Sequence, residues 1–152
     1  MQFTRASDYA VRVLSYLANA NGSVSRSQAI ANATDIPESF LSKILGQLSR
    51  SGMVRSHRGA RGGFSLAMDP RTLSLLDVVE AMEGPLHLNL CAVPEPCVYL
   101  DRCPIQKAWV EAEESLRESL RSRKILDLAA QCREGGLFTT GWAAAQSAPA
   151  LP

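Results

Sequence analysis

Three of the four cysteines, Cys91, Cys97 and Cys103, recur six residues apart within Leu90–Pro104. Pro94 and Pro96 sit between the first two; each fixes φ and removes a backbone donor, so this stretch is expected to be a loop. Three thiols therefore share one short, stiff segment. Pro104 suits the first position of a helix, which puts Cys103 at or near an N-cap, where free N–H groups and the helix dipole favour a thiolate. The thiolate is the form that binds metal. The chemistry expected of this segment is a metal or iron–sulfur site built on Cys91, Cys97 and Cys103.

The chain that must position these thiols has 152 residues, 46% of them hydrophobic and 20% charged, an ordinary globular composition. The first residues show no apolar signal-peptide region, and no run approaches the ~18 apolar residues of a membrane span. A cytoplasmic protein is expected, and in that compartment clustered cysteines point to metal or redox chemistry rather than to structural disulfides. The net charge of +1 conceals an asymmetry. Residues 1–71 hold nine Lys/Arg against four Asp/Glu, whereas residues 72–152 hold seven against eleven. A basic first part fits a nucleic-acid-binding module attached to something else.

Periodicity organises that first part. Ser7 is a candidate cap for a helix through Asn19, with Ala10, Val13, Leu14 and Leu17 on one apolar face. Asp8 falls in its first turn, where the dipole favours a carboxylate. Ser25 and Gln28 read as a capping box opening a short helix to Ala33. Pro37 opens the next helix, whose stripe is Phe40, Leu41, Ile44, Leu45 and Leu48 and whose exposed residues are expected to be Glu38, Ser39, Ser42, Lys43 and Gln47. Two short helices joined by a tight turn make a helix-turn-helix.

Residues 53–57 and 64–67 then read as two strands around Arg58-Gly59-Ala60-Arg61-Gly62-Gly63, a hairpin with a basic, glycine-rich tip. Its position after a recognition-type helix makes the unit a winged helix. Glu38, Ser39, Ser42 and Lys43 are the candidates for base edges, and Arg58 and Arg61 for phosphates or the minor groove. Ser74 caps a further core helix ending at Gly84-Pro85. Beyond Pro104 comes the longest periodic segment, with Ile105, Ala108, Trp109, Ala112, Leu116 and Leu120 as its stripe. About 18 helical residues span about 27 Å, more than a small winged helix covers, so this stripe is expected to bury against a second subunit. Ser122 is a candidate cap for a last short helix, and residues 139–152 read as a disordered tail.

The expected fold is mainly α with a small β-hairpin: a winged helix-turn-helix over residues 1–84, a cysteine loop over 85–103, a dimerisation helix and short C-terminal helix over 104–138, and a flexible tail over 139–152. No nucleophile-and-base pair, phosphate loop or paired carboxylates stand out, and the only histidines are His57 and His87, so an enzyme is not expected.

Over roughly residues 1–130 the chain resembles the iron–sulfur winged-helix regulators of bacteria, the family that includes IscR, NsrR and RirA. The resemblance rests on Asp8-Tyr9-Ala10-Val11-Arg12, Phe40-Leu41-Ser42-Lys43-Ile44-Leu45, the wing Arg58–Phe64 and the three evenly spaced cysteines. It implies a homodimer that binds double-stranded operator DNA and holds a 2Fe-2S or 4Fe-4S cluster on Cys91, Cys97 and Cys103. The signal implied is nitric oxide, redox state or iron supply. Members of the IscR type carry a histidine three residues after the last cysteine, where this chain has Gln106. The NsrR type uses a first-helix aspartate from the other subunit, and the matching residue here is Asp8. His87, Glu95, Asp101 and Cys132 are the other candidates for a fourth ligand. The alternatives are a zinc-stabilised repressor and a metal-free thiol switch; the long spacings argue against structural zinc, which uses at least one close cysteine pair.

Overall fold

The computed structural model describes residues 3–89, 99 and 102–138. The first helix, α1 (Arg5–Asn19), starts a turn earlier than the sequence indicates. Thr4, not Ser7, is its N-cap, and the Thr4 hydroxyl accepts the Ala6 N–H at 3.2 Å. Ser7 is instead buried inside the helix, where its hydroxyl donates to Glu83. The apolar face is as expected: Ala10, Val13, Leu14 and Leu17 are all buried.

Helix α2 (Ser27–Thr34) has Arg26 at its N-cap and no side-chain cap, so the expected Ser25–Gln28 capping box does not form. Ser25 is taken by a different partner. Its N–H donates to the Phe64 carbonyl and its carbonyl accepts the Phe64 N–H, both at 2.8 Å. Asp35, at φ +54, ends α2 and turns the chain into α3 (Glu38–Arg50), for which Pro37 is the N-cap rather than the first helical residue. Leu41, Ile44, Leu45 and Leu48 are buried. Burying each such leucine contributes roughly 2 kcal/mol, which fixes how α3 is rotated.

Strands β1 (Val54–His57) and β2 (Gly63–Leu66) pair antiparallel, Val54 opposite Leu66 and His57 opposite Gly63. Helix α4 (Leu75–Glu83) opens with the capping box of Ser74 and Asp77 and ends at Gly84, at φ +88. Helix α5 (Pro104–Arg121) is a full 18 residues, with Cys103 at its N-cap. Ser122, expected to cap the last helix, closes α5, and α6 (Ile125–Glu134) begins after Lys124. The backbone fixes that start: Leu75 donates to the Arg123 carbonyl at 2.8 Å and Ile125 to the Leu73 carbonyl at 2.9 Å.

One core joins these elements. Ile125 and Ala129 of α6 are buried with Val13 and Leu14 of α1, Ile30 of α2, Leu45 of α3 and Val78 of α4, and Phe138 meets the Tyr16 ring edge-on. Helix α5 stands apart, with none of its residues fully buried. Leu116 and Leu120 are half-buried, whereas Ile105 and Trp109 are 66% and 40% exposed. The chain itself thus covers only the second half of the stripe. Among the described residues no helix is long and apolar enough to cross a membrane.

Candidate nucleic-acid interface and cysteine loop

The buried stripe of α3 turns the opposite face outward. Glu38, Ser39, Ser42 and Lys43 are all exposed in its first two turns. The Ser42 hydroxyl donates to the Glu38 carbonyl at 3.0 Å, an easily exchanged local bond. Phe40, expected in the stripe, is 55% exposed and meets the edge of the Tyr9 ring from α1 at 6.3 Å. Gln47, expected to be exposed, is half-buried. Its amide donates to the Ala81 carbonyl at 3.0 Å and the Met82 carbonyl at 3.1 Å, tying α3 to the last turn of α4.

The wing beside this helix is held by close backbone packing. A Cβ on Gly63 would lie 2.4 Å from the Ser25 carbonyl oxygen, and one on Gly62 would lie 2.5 Å from that of His57. Only glycine allows the hairpin to close this tightly and still pair with Ser25. Arg55, Arg58 and Arg61 project from it exposed, while His57 turns inward, its Nε2 2.8 Å from the Ser65 hydroxyl. An exposed polar helix face beside a basic hairpin can enter a major groove about 12 Å wide while the arginines meet phosphates or the minor groove.

The described flanks of the cysteine segment both meet α5. On the entry side, the Leu88 N–H donates to Glu113 at 2.9 Å and His87 Nδ1 lies 3.4 Å from the other oxygen of the same carboxylate. Arg117 donates to Glu80 at 2.8 Å and to the Leu86 carbonyl at 3.3 Å, and Glu80 also accepts the Leu86 N–H. On the exit side, Cys103 occupies the N-cap position of the same helix. Glu113 stands ten positions on from Cys103, about 15 Å along the axis, so α5 spans the distance between the two flanks.

Of the candidate ligands, Cys91, Cys97, Glu95 and Asp101 lie outside the described residues. Cys103 is a free, half-buried thiol at a helix N-terminus, and its side chain makes no capping hydrogen bond. A soft sulfur donor of this kind fits an iron–sulfur group. Asp8 is exposed in the first turn of α1 and pairs with Arg12 at 2.9 Å; the guanidinium also lies 5.9 Å from the centre of the Tyr9 ring. Cys132 is half-buried, and burial pushes its thiol pKa up, the opposite of what a metal ligand needs. His87 turns its Nδ1 toward Glu113. Among the described residues no three metal-ligating side chains come together.

Glu83 was not legible as a functional residue. From the end of α4 its carboxylate accepts the Thr4 N–H at 3.0 Å, the Thr4 hydroxyl at 2.6 Å and the Ser7 hydroxyl. The Ser7 bond, with those of Thr4, holds its pKa below the ordinary 4.5. It thereby fixes the turn of α1 that carries Asp8.

The Rrf2 family model, described as an iron-dependent transcriptional regulator, matches residues 3–131. A protein of Aquifex aeolicus that carries the name of an HTH-type transcriptional regulator is 31% identical over 131 residues, covering 84% of this chain and 91% of that one. Among solved structures, CymR, the global cysteine regulator of B. subtilis, superposes with a TM-score of 0.69 at 25% identity, over 86% of this chain and 98% of its own. IscR of T. potens gives 0.67 at 25% identity, over 89% and 90%.

Proposed function

Because the chain belongs to the Rrf2 family of transcriptional regulators, we propose that it is a homodimer that binds operator DNA under the control of an iron–sulfur cluster, of the 2Fe-2S or 4Fe-4S type. The observation that carries this reading is that one exposed helix holds the entry flank of the three-cysteine segment through Glu113 and has Cys103 at its N-terminus. Cys91, Cys97 and Cys103 of one subunit would hold the cluster, with Asp8 of the partner subunit as the fourth ligand. A bound cluster would supply one-electron chemistry and sensitivity to nitric oxide, oxygen or iron shortage. The stripe of α5 around Ile105 and Trp109 would meet its symmetry mate.

In this reading residues 1–84 read DNA, 85–103 hold the cluster and 104–138 assemble the dimer. Glu38, Ser39, Ser42 and Lys43 face base edges, and Arg58 and Arg61 hold the backbone or the minor groove. The route from ligand to DNA is short. Asp8 pairs with Arg12, Arg12 lies over Tyr9, and Tyr9 touches Phe40, the neighbour of Ser39. A carboxylate taken up as a ligand leaves Arg12, and the Tyr9–Phe40 contact changes with it. Binding of the two forms to DNA then differs, the only way a signal can shift occupancy.

The test is to select DNA from a random duplex library with oxygen-free wild-type protein and to compare its affinity for Cys91→Ser, Cys97→Ser and Cys103→Ser. The reading expects all three to change affinity together. Unchanged affinity in all of them would remove the loop from control of DNA binding. A change confined to two of them under oxidising conditions would favour a thiol switch.

A further inference from the structure

The last turn of α4 grips three other parts of the molecule. The carbonyls of Ala81 and Met82 accept the Gln47 amide of the recognition helix. The Glu83 carboxylate accepts from Thr4 and Ser7 at the start of α1. One turn earlier Glu80 accepts Arg117 of α5 and the Leu86 N–H, the first bonds of the strap that runs into the cysteine segment. Leu86 is buried and Leu88 is held by Glu113, so the strap has little freedom of its own. Any force on the strap is delivered to Glu80, and the recognition helix hangs from carbonyls one and two residues further on.

We propose that Gln47, Glu80 and Arg117 are positioning residues that couple the strap entering the cysteine loop to the recognition helix of the same subunit. Their meaning for regulation rests on the reading of the loop given above, but the mechanical link does not. It runs within one chain and bypasses Asp8, so two routes converge on α3: one enters at Phe40 near its start, the other at Gln47 in its third turn. Gln47 suits this role because one amide spans two successive carbonyls. A shift of α4 along its axis therefore changes both bonds at once. A half-buried amide aimed at helix-end carbonyls is also difficult to replace, since those carbonyls would lose their partner.

The experiment is a double-substitution cycle read by amide hydrogen exchange on the full-length, metal-free, reduced protein. Arg117→Met removes the guanidinium that bridges Glu80 of α4 and the Leu86 carbonyl of the strap, and Gln47→Met cuts α4 from α3 at nearly constant side-chain length. With Gln47 in place, Arg117→Met is expected to speed exchange of the α3 amides after residue 43 by roughly fivefold, the equivalent of one net hydrogen bond. In the Gln47→Met background the same change should loosen residues 86–89 yet leave α3 as Gln47→Met alone left it. Gln47→Glu, which removes the donors at constant size, repeats the test should Gln47→Met fail to fold. Equal acceleration in α3 with and without Gln47, or none in either, would overturn the proposal. No metal is present in this measurement, so loss of the cluster reading would not alter its outcome.

Discussion

Arg12 holds the Asp8 carboxylate at 2.9 Å across one turn of α1, on the exposed side of the helix. The pair is open to solvent, with 54% of the Asp8 side chain accessible, so it holds its partners in place without contributing much stability. In the metal-free protein, Asp8→Ala and Arg12→Ala are each expected to change the unfolding free energy by less than about 0.5 kcal/mol in urea titrations. Iron retained through gel filtration should separate them: Asp8→Ala loses it and Arg12→Ala keeps it. Equal retention in the two variants would exclude Asp8 as a ligand.

Arg58 and Arg61 extend from the wing without an ion-pair partner in the described residues. Replacing either by alanine is expected to lower affinity for a selected duplex and to reduce the slope of log affinity against log salt by about 1. Fluorescence anisotropy over a salt series measures both. A slope that does not move would mean that the wing is not on the DNA.

Two glycines should respond in opposite directions. Gly63→Ala forces a Cβ to 2.4 Å from the Ser25 carbonyl oxygen, so the bridge to Phe64 must open, at a cost of about 2 kcal/mol or more. Gly46, inside α3, has room: the nearest atom to an added Cβ is the mobile end of Arg50 at 3.6 Å. Gly46→Ala is expected to stabilise the protein by about 0.5–1 kcal/mol through helix propensity. Thermal unfolding of the two variants beside wild type checks both signs.

Much of this was legible in the sequence because it depends on near neighbours. The apolar stripe of α3 apart from Phe40, the Ser74 cap, Pro104 after Cys103 and the glycines of the wing are all local signals, and each appears in place. The errors arise where a distant partner outbids a local one. Ser7 has the chemistry of an N-cap, but its hydroxyl goes to Glu83, 76 residues away. Ser25 looks like half of a capping box, but Phe64 takes its backbone. Ser122 precedes a helix, yet the bonds of Leu73 and Leu75 delay the start of α6 to Ile125. Gln47 lies on the polar side by periodicity, and nothing within a few residues reveals that α4 ends beside it.

Glu83 gives the fold an acid-sensitive contact. Its folded-state pKa is depressed, chiefly by the Ser7 hydrogen bond and then by Thr4, so its contribution is present above about pH 4.5 and is lost as the pH falls through the lowered value. Glu83→Gln is therefore expected to be less stable than wild type at neutral pH and to lose less of its stability on acidification below pH 4.5. Urea midpoints between pH 6 and pH 3 test the sign. Parallel curves for the two proteins would show that Glu83 does not titrate against the fold.

The most direct test of the central claim is the iron, acid-labile sulfide and zinc content per subunit of protein purified without oxygen. The account predicts iron and sulfide in equal amounts, zinc absent, and both iron and sulfide lost in Cys91→Ser, Cys97→Ser and Cys103→Ser. Zinc alone, or no metal in protein supplied with iron and sulfide, would contradict it and leave a DNA-binding regulator whose loop acts through a structural metal or through its thiols.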